Sequence, residues 1–328
     1  MIPDPAQVLT AMYRPISDDL ERVRRIFDDE LASELPFVTE LCRHVGGFRG
    51  KMLRPALVLL SAQTCGPLTG EHVTLATVVE LVHIATLVHD DVLDEGSVRR
   101  GRPTVNALQG NEGAVLLGDY LISHAFHLCS SLESQYASRL IGSTTNTVCE
   151  GELLQVHLRG SLRLTEQQYF DIITRKTASL TSTCCLLGAK YAGATPAVIS
   201  AFEAFGLNLG TAFQIVDDVL DFSGSENEMG KTLGRDLDGG EMTLPMIHLL
   251  RCGSPGDREE ALHILSNGFV DRASRMRDLL VRNDSLSYAL ETARRYARAA
   301  RENLADLPDS EAREALMSIT EFVLRRRN

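Results

Sequence analysis

The pentapeptide Asp-Asp-Val-Leu-Asp occurs twice in this chain, at Asp90 to Asp94 and at Asp217 to Asp221. On a helix, residues four apart lie nearly on one face, so Asp90 and Asp94 project together with Asp91 about 100° round, and Asp217, Asp221 and Asp218 repeat the arrangement. Each cluster closes an apolar run, Leu81 to His89 or Leu207 to Val216, and a helix C-terminus disfavours anions further. Nothing in the local sequence neutralises either cluster at its own position. Hard divalent cations remove the repulsion: oxygen-only donors suit Mg²⁺, which keeps several waters and bridges one or two carboxylates to substrate phosphates. A single such cluster reads equally well as a solvated acidic face. Two identical ones at the ends of apolar helices point to metal.

Cations stand near both clusters. Lys51 and Arg54 follow Gly50, and Arg99 and Arg100 lie one to two helical turns beyond the first cluster. Lys176 is flanked by Arg175 and Thr177, and Lys231 follows Gly230 in a loop beyond the second cluster. Arg grips phosphate oxygens with a bidentate fork and Lys as a point charge. Alone, any one of them reads as a surface cation. Together with the carboxylates they suit a diphosphate held between Mg²⁺ and basic side chains, and the apolar helices suit a substrate with a hydrocarbon tail.

The elements that carry these residues are helical. Apolar residues recur at three- and four-residue spacing, as in Val78, Leu81, Val82, Ala85 and Val88, which marks a buried helical face. Gly and Pro sit mostly between such stretches, no strand ladder is apparent, and no polar linker divides the chain. The sequence predicts an all-α fold in one domain spanning residues 1–328. Lys and Arg number 33 against 44 Asp and Glu, a net charge of −11, whose field opposes binding to nucleic acid. The seven cysteines form no CxxC pair and read as core thiols of a reducing compartment. The start of the chain lacks a secretory pattern, and the apolar run Thr74 to His89 is interrupted by Glu80 and His83 and reads as too short to span a bilayer. The expectation is a cytoplasmic protein without an integral membrane segment.

At this point the sequence resembles the trans-type polyprenyl diphosphate synthases. Leu81-Val82-His83 through His89-Asp90-Asp91-Val92-Leu93-Asp94-Glu95, then Arg99-Arg100-Gly101, and later Ala212-Phe213-Gln214-Ile215-Val216-Asp217-Asp218-Val219-Leu220-Asp221-Phe222 look like the family's two aspartate-rich motifs. Gly50-Lys51-Met52-Leu53-Arg54-Pro55, Glu150 to Gln155, Lys176-Thr177 and Gly230-Lys231 follow the family's order, and the match runs from about Phe48 to Pro245.

The resemblance implies a bundle of long helices around a deep central cavity, an isoprenoid synthase-like fold working as a homodimer. Its substrates would be isopentenyl diphosphate and an allylic prenyl diphosphate. Three Mg²⁺ ions would be served by Asp90, Asp91, Asp94, Asp217, Asp218 and Asp221. Arg99, Lys176 and Lys231 would hold the allylic diphosphate with Gln214 and Thr177 nearby, and Lys51, Arg54, His83 and Arg100 the isopentenyl diphosphate. Glu152, Gln155 and Asp236 would support the site from behind. Met52 and Glu241 depart from the family pattern, each losing positive charge. Ala85 and Thr86, five and four residues before Asp90, are small, which in the family goes with geranylgeranyl or longer products; Phe126 is a candidate floor for the chain. The terminal Arg325-Arg326-Arg327 reads first as a solvated helix end, with closure over the isopentenyl site, as basic tails of the family do, the alternative that the resemblance offers. The alternatives are an HD-type metal phosphohydrolase, which leaves the second cluster and Arg99-Arg100 unexplained, a partner subunit of a heteromeric synthase, and a terpene cyclase, which needs no isopentenyl site.

Overall fold

A computed structural model describes residues 5–223, 234–266 and 271–326. The all-α expectation is met. In chain order the helices are α1 (Pro5–Met12), α2 (Ser17–Glu30), α3 (Pro36–Gly46), α4 (Leu53–Cys65), α5 (Gly70–Leu93), α6 (Val105–Ser130), α7 (Tyr136–Leu158), α8 (Glu166–Ile173), α9 (Ser179–Tyr191), α10 (Pro196–Ser223), α11 (Arg235–Asp238), α12 (Leu244–Cys252), α13 (Pro255–Ser266), α14 (Arg272–Arg282), α15 (Ser285–Asn303) and α16 (Glu311–Arg325). The chain divides into two compact units, one built from residues 1–145, 183–203 and 306–318 and the other from residues 146–182, 204–305 and 319–328.

In the first unit α5 is the central element, packed by α2, α4 and α6. Leu75, Leu81 and Ile84 of α5 are fully buried, as are Leu57, Leu59 and Leu60 of α4, and each such side chain stabilises the fold by about 1.5–3 kcal/mol. Thr69 caps α5 in a capping box with His72, which satisfies backbone donors at its start. α5 and α10 have the length and hydropathy of a bilayer span, longer than the interrupted run suggested, because the helices continue past the polar residues that bracket it. The most apolar stretch of α5 is 72% buried within the protein. It is a core helix that keeps Glu80 and His83 among its apolar residues.

Beyond α5 the chain does not continue as helix, so Arg99 and Arg100 are not carried on further helical turns. It reverses through Glu95 and Gly96 into a two-stranded antiparallel ribbon, β1 (Val98–Arg99) and β2 (Arg102–Pro103), with Arg99 opposite Arg102. Arg100 and Gly101 at its tip both have positive φ, 51° and 73°, the requirement of a tight two-residue hairpin whose twist matches its strands. Thr104 then caps α6, its hydroxyl donating to the Gly96 carbonyl at 2.7 Å. The ribbon is a local departure from the purely helical reading: Glu95, at φ 51°, turns the chain out of α5, and Gly101 closes the hairpin.

The second unit has its own core, in which Ile215, Val219 and Phe222 of α10 belong with Leu244 and Met246 of α12, Met276 and Leu280 of α14, and Ala289 and Ala293 of α15. Between α8 and α9 lies one π-helical turn, Thr174–Ala178, which carries Lys176 and Thr177. Turns of this kind widen a helix locally and are frequent at functional sites. Gly151 of α7 faces this turn so closely that a Cβ would stand 2.7 Å from the Lys176 backbone nitrogen, so only glycine lets α7 pass there.

Candidate functional site

The first aspartate cluster ends α5. Asp90 is half-buried, Asp91 buried and Asp94 exposed as the residue that caps the helix. Contrary to the expectation of an unneutralised cluster, the ribbon returns Arg99 to it: Arg99 Nε donates to both carboxylate oxygens of Asp91, at 2.8 and 2.9 Å. The Asp91 carboxyl is raised by burial, and Arg99 opposes that shift. Because the contact engages Nε alone, the two terminal amino groups of Arg99 keep their donors for another anion. Asn106 fixes the reversal, its amide donating to the carbonyls of Asp91 at 3.2 Å and Gly96 at 3.0 Å.

Next along the first unit is a basic group. Arg54 Nη1 stands 3.1 Å from His83 Nε2. A guanidinium has no acceptor, so Nε2 accepts and the imidazole proton sits on Nδ1. Burial, then the charges of Arg54, Arg100 and Arg99, hold His83 well below the usual histidine range and keep it neutral. Arg100 donates to the Phe48 carbonyl, and its guanidinium takes the space that a Cβ on Gly50 would need. Lys51 is exposed in the same loop. Met52, where the family commonly has Arg, is 2% exposed with φ 52°. The residue is buried, and its left-handed backbone folds the loop into the start of α4.

The second cluster, in α10, is organised by hydrogen bonds. Thr177 Oγ1 donates to Gln214 Oε1 at 2.9 Å, Gln214 Nε2 donates to Asp218 Oδ1 at 2.8 Å, and Tyr169 Oη donates to Asp218 Oδ2 at 2.6 Å. Burial pushes the Asp218 carboxyl up to about 7 against the pull of those two donors. Asp221 accepts the backbone N–H groups of Arg235 and Asp236, both at 3.1 Å. Asp236 is half-buried, and its carboxyl is raised well above the carboxylate range, by desolvation first and then by Asp221, Asp218, Glu241 and Asp217. Lys176 Nζ lies 2.7 Å from Glu152 Oε1. Glu241 accepts from Gln155 and has Arg159 at 3.8 Å, so the negative charge at this departure from the family pattern is partly met by Arg159. Lys231 lies outside the described residues.

One expectation fails at the chain's end. Arg326 is no solvated cation: its side chain is 14% exposed, its guanidinium lies 4.2 Å from the Phe213 ring centroid, and Nη2 reaches to 3.4 Å from Asp217 Oδ1. Charge attraction and a cation–π contact outweigh hydration at this position. Arg325 stays exposed, and Arg327 lies outside the described residues.

Tyr169 was absent from the sequence expectations, although a signal existed: it stands seven residues before Lys176, two helical turns along. Tyr169→Phe removes one hydrogen bond to a charged group, a loss of about 1.5–3 kcal/mol. The half-saturating Mg²⁺ concentration is therefore expected to rise by about tenfold or more, with unchanged helical content by circular dichroism. An unchanged Mg²⁺ requirement would leave Tyr169 as packing only.

The donor set fits Mg²⁺. It is entirely carboxylate oxygen, two of its members are buried, and the second cluster draws the chain's own cation, Arg326, to Asp217. Among the described residues no three His, Cys, Asp or Glu side chains stand close enough to hold an ion by themselves, so an ion here would need oxygens of water or a diphosphate to complete its coordination.

Residues 36–280 match the polyprenyl synthetase family. The chain is 35% identical over 302 residues to an octaprenyl diphosphate synthase of Haemophilus influenzae, covering 92% of each chain. It is also 35% identical over 318 residues to a short chain isoprenyl diphosphate synthase of Methanothermobacter thermautotrophicus, covering 96% of each. A solved polyprenyl synthase of Caulobacter crescentus, complexed with calcium and isoprenyl diphosphate, superposes with a TM-score of 0.93 at 32% identity over 98% of both chains.

Proposed function

The chain belongs to the polyprenyl synthetase family and is a prenyltransferase, and from that premise we propose that it condenses isopentenyl diphosphate with an allylic diphosphate to give a geranylgeranyl or longer polyprenyl diphosphate. The observation that carries this reading is the pair of identical aspartate clusters ending α5 and α10, each in a unit that also holds basic side chains next to it in the fold or sequence. Identity alone does not choose the product, since a long-chain and a short-chain synthase are equally similar to this chain.

In this proposal Asp90, Asp91, Asp94, Asp217, Asp218 and Asp221 hold three Mg²⁺ ions, directly or through water. When bound, Mg²⁺ supplies positive charge that favours departure of the allylic diphosphate. Arg99, Lys176 and Lys231 grip that diphosphate as the allylic C–O bond breaks, and preorganised charge of this kind is commonly the largest catalytic contribution. Thr177 and Gln214 act in series to orient Asp218. Lys51, Arg54, His83 and Arg100 orient isopentenyl diphosphate, whose double bond forms the new C–C bond. The proton then lost goes to the released diphosphate.

We place the reaction in a single-domain enzyme of the cytoplasm, where its seven free thiols stay reduced. We also propose a homodimer, for which the exposed Val115 and Leu116 of α6 offer apolar surface. The test is incubation of the purified chain with Mg²⁺, isopentenyl diphosphate and allylic primers of increasing length, followed by chromatography of the products. Elongation by the chain alone excludes a need for a partner subunit. Failure with every primer would sink the reading.

A further inference from the structure

Glu80 lies on α5, three residues before His83, and is 1% exposed. Its Oε1 has no hydrogen-bond partner, and neither has Nε of Arg54 nor the hydroxyl of Tyr13, all of them buried. Glu80 stands one helical turn before His83, which Arg54 touches at 3.1 Å; the charges of Arg54, Arg100 and Arg49 act on its carboxyl without an ion pair being formed, and its own charge acts on the Tyr13 phenol and the Cys184 thiol. A buried carboxyl with an orphaned oxygen is costly and calls for a physical reason.

The reason offered by the geometry is charge balance, and it rests on the reading that assigns Arg54 and Arg100 to isopentenyl diphosphate. While these cations lack a substrate, Glu80 is the fully buried acid whose charge acts on Arg54, alongside the half-buried Asp90. A diphosphate would bring a second anion to the same cations, and two anions sharing one set of cations cannot both keep their full stabilisation. We propose that Glu80 is the resting countercharge of the isopentenyl diphosphate site and takes up a proton when the diphosphate settles on Arg54 and Arg100. The step is carboxylate plus a proton from solvent to carboxylic acid; an O–H bond forms and nothing is oxidised or reduced.

The surroundings select Glu80 for this role. Burial pushes its carboxyl up to about 7, against the pull of the three arginines, so drawing those arginines toward a diphosphate pushes it further up. Burial holds the phenol of Tyr13 and the thiol of Cys184 in their neutral forms far above neutral pH, and His83 stays neutral far below its usual range. A group whose pKa rises on binding favours binding at low pH. Affinity is therefore expected to be flat below about pH 7 and to fall above it, by about tenfold for each unit by which the diphosphate raises the carboxyl.

Glu80 acts through Arg54 and touches no reacting atom, so it is a positioning and charge-balancing residue. The test is calorimetry of isopentenyl diphosphate binding to the full-length, metal-free protein, in buffers of different ionisation enthalpy, for the wild type and Glu80→Gln. The wild type should take up protons beyond the ligand's own and bind about tenfold more weakly than Glu80→Gln at about pH 8.5, with equal affinities near pH 6. Identical proton uptake and pH dependence in the two proteins would overturn the proposal while leaving the synthase reading intact if the wild type still elongates. Absence of isopentenyl diphosphate binding to the wild type would overturn the proposal, and the synthase reading falls with it only if no primer is elongated. Should Glu80→Gln not fold, infrared difference spectra of wild-type protein carrying isotope-labelled glutamate decide: a protonated-acid carbonyl band appearing with isopentenyl diphosphate supports the proposal, and its absence refutes it.

Discussion

Asp90→Ala and Asp217→Ala each lower the rate of chain elongation by at least about 10³-fold, the scale of losing one preorganised electrostatic contact in a reaction dominated by charge. Asp90→Ala is not expected to lower the melting temperature, whereas Asp217→Ala strips the largely buried Arg326 of its carboxylate partner and should lower it slightly. Asp90 is half-buried beside Asp91 and Asp94, and the Asp217 side chain is 52% exposed, so neither carboxylate contributes to a core. Removing Asp90 relieves its repulsion with Asp91 in the metal-free protein, so for Asp90→Ala stability is expected to hold or to rise slightly as activity collapses. The pairing of those two outcomes is the diagnostic. A structural role would move both together, and activity within tenfold of wild type would remove either carboxylate from the metal set. Chelation of Mg²⁺ should stop the wild-type reaction, and added Mg²⁺ should restore it.

Thr86→Phe shortens the product by at least one isoprene unit. Thr86 stands four residues before Asp90 and so nearly on its face of α5, is half-buried, and donates its hydroxyl to the His83 carbonyl at 2.8 Å. An aromatic ring there adds volume one turn from the aspartates, where a growing hydrocarbon tail would begin its path. Ala85 has the same small size but no exposure. A ring at Ala85 overpacks a closed core and is expected to cost about 1–3 kcal/mol of stability, so Ala85→Phe should show a lower melting temperature whatever it does to chain length. Chromatography of products from the same primer separates the cases, and an unchanged length for Thr86→Phe would take this position out of the tail path. Phe126, the candidate floor, is 36% exposed on α6, and its ring lies 3.8 Å from where a Cβ on Gly142 would be.

The helices were legible because their signal is local and repeated. Apolar residues at three- and four-residue spacing can be buried together only on a helix, and α5 and α10 follow from it. The aspartate clusters were legible for a related reason: carboxylates four apart on a helix share a face whatever surrounds them. That such a donor set suits a hard divalent cation also follows from the donor atoms alone. The basic residues near the clusters were recognisable by type and order. Their partners were not.

What the sequence by itself determined, then, is an all-helical chain carrying two acidic clusters, a set of cations and membership of one family, since each of these rests on residue type, spacing and order. The tertiary structure alone decided which charges meet. Arg99 reaches Asp91 because the chain reverses at Glu95 and again at Arg100-Gly101, all of positive φ, where helical continuation was expected. Tyr169 and Gln214 meet on Asp218 across 45 residues of sequence, and Arg326 abandons solvent for Phe213 and Asp217, more than a hundred residues before it. Glu80 reads in sequence as one polar interruption of an apolar run, and only packing shows it fully buried where the charges of arginines act on it. The physical reason is common to all four: hydrogen bonds and ion pairs act over a few ångströms and depend on burial, and neither the separation nor the burial of residues distant in the chain is written in their local spacing.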